Sequence, residues 1–82
     1  MRVDVLLFGP LADAAGADRV RVDLPNDQAT ANGVLAALHE AHPALRSGLG
    51  GCRLAVNHAF AQGPTPIRES DEVALIGLIS GG

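Results

Sequence analysis

Apolar and polar residues alternate from the second residue onward. Val3, Val5 and Leu7 fall on one parity, and Arg2, Asp4, Leu6 and Phe8 on the other. Period-two alternation with β-branched residues predicts a strand over 2–8. Its second face turns apolar at Leu6 and Phe8. Gly9-Pro10 breaks the run, and Leu11 to Ala15 reads as a short helical turn stopped by Gly16. Arg19 to Leu24 alternates again, with Val20, Val22 and Leu24 inward, and the short connection makes this strand antiparallel to the first.

The period then changes. Behind Thr30, a helix N-cap residue, Val34, Leu35, Leu38 and Ala41 recur at helical spacing until Pro43 ends the run. Gly33 weakens the first turn by about 1 kcal/mol relative to Ala. This is the one long helix, and it must cover a sheet face. A Gly-rich connector follows, with a helical turn around 44–47 and mobility expected at Gly48, Gly50 and Gly51. Arg53 to Asn57 is a strand, Asn57-His58 a turn, and Phe60-Ala61 a short resumed pairing. Ile67 tucks back to the core. Glu72 to Ile79 is the last strand; apolar residues on both parities mark it as central, with Val73 and Leu75 under the helix. Pairing bulges or ends at Gly77.

The order β-β-α-β-(β)-β predicts an α+β fold of the β-grasp (ubiquitin-like) plan. It is a mixed sheet of four to five strands, the last parallel to the first, with one main helix across one face through a right-handed crossover. Residues 1–82 form one domain, with a flexible tail over about 77–82. On the sheet face opposite the helix, Leu6, Phe8, Ala74 and Ile76 share a parity. If the first and last strands are neighbours they make one apolar patch. A chain with one helix has little left to cover it, so the patch is expected to bind a partner.

Composition and charge narrow the chemistry. With 48% apolar residues, no Trp or Tyr and only Phe8 and Phe60 as aromatics, the core must be aliphatic. Net charge is −3 with six scattered Arg and no Lys, so nucleic acid is not an expected partner. No apolar run is long enough to span a bilayer and no leader pattern opens the chain. The lone Cys52 suits a reducing cytoplasm and forms neither an internal disulfide nor, alone, a metal site. Nothing marks it for a lowered pKa, and it reads as an inert thiol. His39 and His42 stand three apart on the helix without a third ligand, and read as solvent-facing residues near a helix end; no metal is expected. Asp71 and Glu72 are adjacent and face opposite ways on a strand. Ser47, Ser70 and Ser80 lack the pattern of a nucleophile with its base. No bound cofactor and no catalytic site of its own is expected.

The end of the chain remains. It closes on Ser80-Gly81-Gly82 behind an apolar strand. With 10 Gly in 82 residues, two together at a given place arise by chance about once in 70. Neither glycine packs anything, so the pair is either an ordinary frayed end or a carboxylate held clear of the core. Six residues from Gly77 reach about 20 Å.

Taken together, the chain resembles the ubiquitin-like sulfur carriers, and within them the MoaD family, the small subunits of molybdopterin synthase. The resemblance covers nearly all of it. It rests on Val5-Leu6-Leu7-Phe8-Gly9, on the Leu35-Ala36-Ala37-Leu38 helix ended by His42-Pro43-Ala44-Leu45, and on Leu54-Ala55-Val56-Asn57. It closes on Asp71-Glu72-Val73-Ala74-Leu75-Ile76 and the Ser80-Gly81-Gly82 ending. One departure is Gly77-Leu78-Ile79, where the family typically has Pro-Pro-Val.

The resemblance implies that the Gly82 carboxylate is adenylated and then converted to a thiocarboxylate, the sulfur donor in molybdopterin synthesis. Ser80, Gly81 and Gly82 would thread a partner's channel while Leu6, Phe8, Ala74 and Ile76 dock. The implied partners are an E1-like (MoeB-type) adenylating enzyme, which uses the ATP, a large catalytic subunit (MoaE-type) and a sulfur donor. The chain itself would be a protein co-substrate, not an enzyme. Other readings stay open: a carrier for thiamine thiazole or cysteine synthesis, a protein modifier joined through Gly82, or a plain interaction module. Without Lys, the chain cannot build lysine-linked chains on itself.

Overall fold

The structure is a computed structural model and describes residues 1–77. Five strands form one sheet in the order β2-β1-β5-β3-β4. They are β1 (Arg2–Leu6), β2 (Arg19–Asp23), β3 (Cys52–Val56), β4 (Ala59–Phe60) and β5 (Val73–Gly77). β1 pairs antiparallel with β2 and parallel with β5, and β5 pairs antiparallel with β3. The last strand is therefore central and lies beside the first, as its two apolar parities predicted.

The main helix, α2 (Ala31–Ala41), buries Ala31, Val34 and Leu38 toward the sheet. They meet Val3, Val5, Val20, Val22, Leu54, Val73 and Leu75 in one aliphatic core. Each fully buried Leu or Val there contributes about 1.5–3 kcal/mol of transfer free energy. The start of α2 is fully capped. Ala31 N–H donates to the Thr65 carbonyl and Asn32 N–H to that of Gly63, both at 2.9 Å. Gly33 N–H donates to Thr30 Oγ1 at 3.1 Å. With Thr30 N–H on the Gln28 carbonyl at 2.9 Å, the four amides that a helix start leaves unpaired thus find partners, two of them in the loop before Ile67.

Smaller elements flank this frame. α1 is Pro10–Ala15, ended by Gly16 in the left-handed region. A 3₁₀ turn covers Asn26–Gln28. After α2 a second 3₁₀ turn, Pro43–Leu45, runs into α3, Arg46–Leu49, a longer helical connector than the single turn expected. Leu45 anchors it in the core.

Two expectations are corrected. β1 ends at Leu6, not Phe8, because β2 begins only opposite Leu6 and Gly9 (φ 54) turns the chain into α1. Leu7 keeps one more bond, from its N–H to the Asp18 carbonyl at 2.8 Å. His42 is half-buried rather than solvent-facing. Its Nε2 lies 3.1 Å from the Arg21 carbonyl oxygen, which ties the end of α2 to β2.

At the other end of the sheet, Asn57 and His58 have φ of 51° and 70°. Two consecutive positive φ values are those of a two-residue hairpin whose twist suits its strands. Asn57 also pins the entry to β5. Its Oδ1 accepts from Glu72 N–H at 2.9 Å and its Nδ2 donates to Asp71 Oδ1 at 3.0 Å. Asp71 Oδ2 accepts from Arg68 N–H at 2.8 Å. That backbone bond, then the Asn57 amide, lowers the Asp71 pKa below its ordinary 3.8. A depressed carboxyl pKa adds stability above the unfolded-state value, and the contribution fades as pH falls through the folded one. Asp71→Ala should therefore melt below the parent at pH 7, and the gap should narrow once pH drops well below 3.8. Parallel thermal melts at the two pH values check this; an equal gap at both would assign the effect to the loop shape alone.

Candidate functional site

The open face of the sheet is built by register. Leu6 lies opposite Arg19 on β2 and Ala74 on β5. Ala74 lies opposite Ala55 on β3, and Ala55 opposite Phe60 on β4. One row therefore crosses all five strands as Arg19, Leu6, Ala74, Ala55 and Phe60. Two alanines at its middle leave the sheet low between taller side chains. Beside that row, Ile76 pairs with Arg53. The result is a hollow of about 330 Å³ walled by Leu6, Phe8, Phe60 and Ile76, with Ala55 and Ala74 also lining it and His58 and Glu72 at its border.

The walls are apolar and open to water. Phe8 is 56% exposed and Phe60 53%. A small domain normally hides its aromatic side chains, and here the only two both stand on this surface. The structure thus brings Leu6, Phe8, Ala74 and Ile76 onto one face, around one hollow. It adds Ala55 and Phe60, which the patch of four lacked. The signal for them was present in Asn57-His58: a two-residue turn there sets Phe60 opposite Ala55, on the parity of Ala74.

Charges border the hollow. On its β1–β2 side Arg21 Nε donates to Asp4 Oδ1 at 2.8 Å, and Arg2 pairs with Asp23 at 3.4 Å. The Arg21 bond holds Asp4 below the ordinary carboxyl range and raises Arg21. At the entry to β5, His58 Nε2 and Glu72 Oε2 are 3.0 Å apart. On the far side the Arg53 guanidinium lies over the Phe60 ring, 4.8 Å from its centroid.

At the shoulder where β5 ends, Cys52 pairs with Gly77. Its Sγ donates to the Gly48 carbonyl at 3.0 Å, and burial pushes the thiol pKa up. A half-buried thiol that is harder to ionise is a poor nucleophile. Among the described residues no three His, Cys, Asp or Glu side chains gather as metal ligands, and no helix is long and apolar enough to cross a membrane. Ser80, Gly81 and Gly82, the expected threading tail and reacting end, lie outside the described residues.

The chemistry open to this surface is recognition. Its apolar hollow sits one residue before Gly77, so whatever docks there lies beside the origin of the chain's last segment.

Known proteins are similar to this chain in plan and in sequence. The chain is 32% identical over 80 residues to the molybdopterin synthase sulfur carrier subunit of Dictyostelium discoideum, covering 95% of this chain and 93% of that one. It is 34% identical to the subunit of that name from Chlamydomonas reinhardtii over the full length of both. Among solved structures it resembles SAMP1 from Haloferax volcanii, at 33% identity and a TM-score of 0.84, with both chains fully covered. It also resembles a chain from the complex of subunits 1 and 2 of the molybdopterin-converting factor of Helicobacter pylori 26695, at 26% identity and a TM-score of 0.69, again with both fully covered. Residues 5–82 match the model of the ThiS family, and the chain belongs to that family.

Proposed function

We propose that this chain is a sulfur carrier, the small subunit of a molybdopterin synthase, and that the Gly82 carboxylate is its reacting group. The observation that carries the reading is the end-to-end identity of 32–34% with two molybdopterin synthase sulfur carrier subunits. The exposed hollow supports it, because a carrier must be held by one protein after another.

A carboxylate oxygen of Gly82 attacks the α-phosphorus of ATP and pyrophosphate leaves. The resulting acyl adenylate is an activated carbonyl. Sulfur from a donor, written as hydrosulfide, attacks that carbon and AMP leaves, which gives the thiocarboxylate. The thiocarboxylate sulfur then adds to an electrophilic carbon of the pterin precursor, and hydrolysis of the acyl–sulfur bond returns the Gly82 carboxylate and leaves the sulfur on the precursor. Nothing in the sequence forms a phosphate-cradling loop of the Gly-x4-Gly-Lys-Ser/Thr type. ATP is therefore consumed on a separate adenylating enzyme of the E1-like type. The chain acts as a co-substrate and not as an enzyme, and it holds no cofactor of its own. The H. pylori neighbour, a complex of subunits 1 and 2, supports a large-subunit partner for this chain. A reducing cytoplasm suits its single free cysteine.

Intact-mass measurement after incubation with ATP, the adenylating enzyme and a sulfur donor tests this. Exchange of one oxygen for sulfur should add about 16 Da. An unchanged mass beside an enzyme proven active on its own carrier would sink the proposal. A second reading, a protein modifier joined through Gly82, is favoured by the full-length likeness to SAMP1, a protein named as a small archaeal modifier. It predicts Gly-Gly remnants on lysines of other proteins.

A further inference from the structure

Two arginines on the open face, Arg19 and Arg53, have no carboxylate within 4.0 Å among the described residues, and of the two Arg53 is the one that lies over a ring. Arg21 and Arg2 there have Asp4 and Asp23. Arg53 has no carboxylate within 4.0 Å among the described residues and is exposed. It is nevertheless held in place, with its guanidinium over Phe60, 4.8 Å from the ring centroid. A guanidinium beside a ring has no acceptor oxygen there to occupy its five N–H donors, and such a fork can receive a carboxylate through two parallel hydrogen bonds. Its position is also informative. Arg53 lies opposite Ile76, a wall of the hollow, and Cys52 beside it lies opposite Gly77.

We propose that Arg53 is a specificity-determining contact of the docking face. It takes a carboxylate from a partner protein that seats an apolar side chain in the hollow between Phe8 and Phe60. This rests on the reading of that face as the docking surface. The two contacts differ in kind. The hollow accepts any side chain of suitable size, whereas the Arg53 fork accepts an acid at one distance from it. Together they fix the register of the partner against Gly77, and so the point at which the tail sets out. A polyanion is a poor occupant: the chain carries net charge −3, and the other arginines beside the hollow's β1 edge include two already paired. A second copy fits poorly as well, since two concave hollows do not fill each other.

The test is titration of the chain with the large subunit of molybdopterin synthase from the same source, at about 50 mM and about 300 mM salt. Arg53→Glu should weaken binding at least about tenfold. Arg53→Lys should fall between it and the parent, because it keeps the charge and loses the fork. Arg53→Ala should bind with a shallower salt dependence than the parent. Ala74→Arg, which fills the hollow, is the control for the face itself. If Ala74→Arg blocks binding while Arg53→Glu binds like the parent, the docking face stands and the role of Arg53 is overturned. If Ala74→Arg also binds like the parent, the docking reading itself falls. A dimer of the chain that Arg53→Glu dissociates would replace the proposed partner by a second copy.

Discussion

A chain lacking only Gly82 should fold and dock as the parent does, yet carry no sulfur. The expectation follows from the distribution of packing. Among the described residues the core's last members are Val73 and Leu75, and Gly77 is exposed at the end of β5. A glycine has no side chain to bury, so deleting the final residue should move the melting temperature by less than about 1 °C. The shortened chain still ends in a glycine carboxylate, chemically the same acid. What changes is its reach, which falls by about 3.5 Å. A misplacement of 1 Å at a reacting atom can cost about 100-fold, so thiocarboxylate formation should drop at least about a thousandfold. Intact mass reports the loaded fraction, and calorimetric titration with the large subunit reports docking. Normal loading of the shortened chain would mean that length does not position the end. A large loss of stability would mean that the tail is part of the core.

The apolar patch proposed as the docking face was readable because two independent regularities coincide in it. Alternation assigns Leu6 and Phe8 to the side of β1 away from Val3 and Val5. The same alternation assigns Ala74 and Ile76 on β5. Only the parallel pairing of β1 with β5 had to be added, and the β-grasp order supplies it. The other half of the hollow was harder to see. β4 is two residues long, too short for any period to show. Its register depends on positive φ at Asn57 and at His58, and His is a residue less associated with that conformation than Asn or Gly. Phe60 and Ala55 enter the site through that turn. The role proposed for Arg53 could not be read from the sequence, because it lies in what stands near that side chain: the Phe60 ring and, among the described residues, no carboxylate within 4.0 Å. Gly82 is the opposite case. Its role rests on sequence and kinship, since it lies beyond the described residues.

Gly33→Ala should destabilise the protein, against the direction that helix propensity alone gives. Gly33 lies in the first turn of α2, where Ala is intrinsically the better residue by about 1 kcal/mol. In the folded chain a β-carbon at this position would overlap the carbonyl oxygen of Gln28. That oxygen belongs to backbone, and it is engaged: it accepts from Thr30 N–H at 2.9 Å. Moving it disturbs Thr30, whose Oγ1 caps Gly33 N–H and whose carbonyl accepts from Val34 N–H. The strain therefore spreads into the cap of the one helix that covers the core. Overpacking of this kind costs about 1–3 kcal/mol, and the upper end is expected where backbone must shift. For a chain of this length each kcal/mol lowers the melting temperature by about 4–8 °C, so a fall of roughly 10 °C or more should be seen. Gly50→Ala is the matched control. Gly50 has φ −63° and nothing near its missing β-carbon, so Ala there should be neutral or slightly stabilising. A Gly33→Ala protein as stable as the parent would show that the Gln28 carbonyl yields without cost, and that the glycine was not required by the close passage of chain against helix.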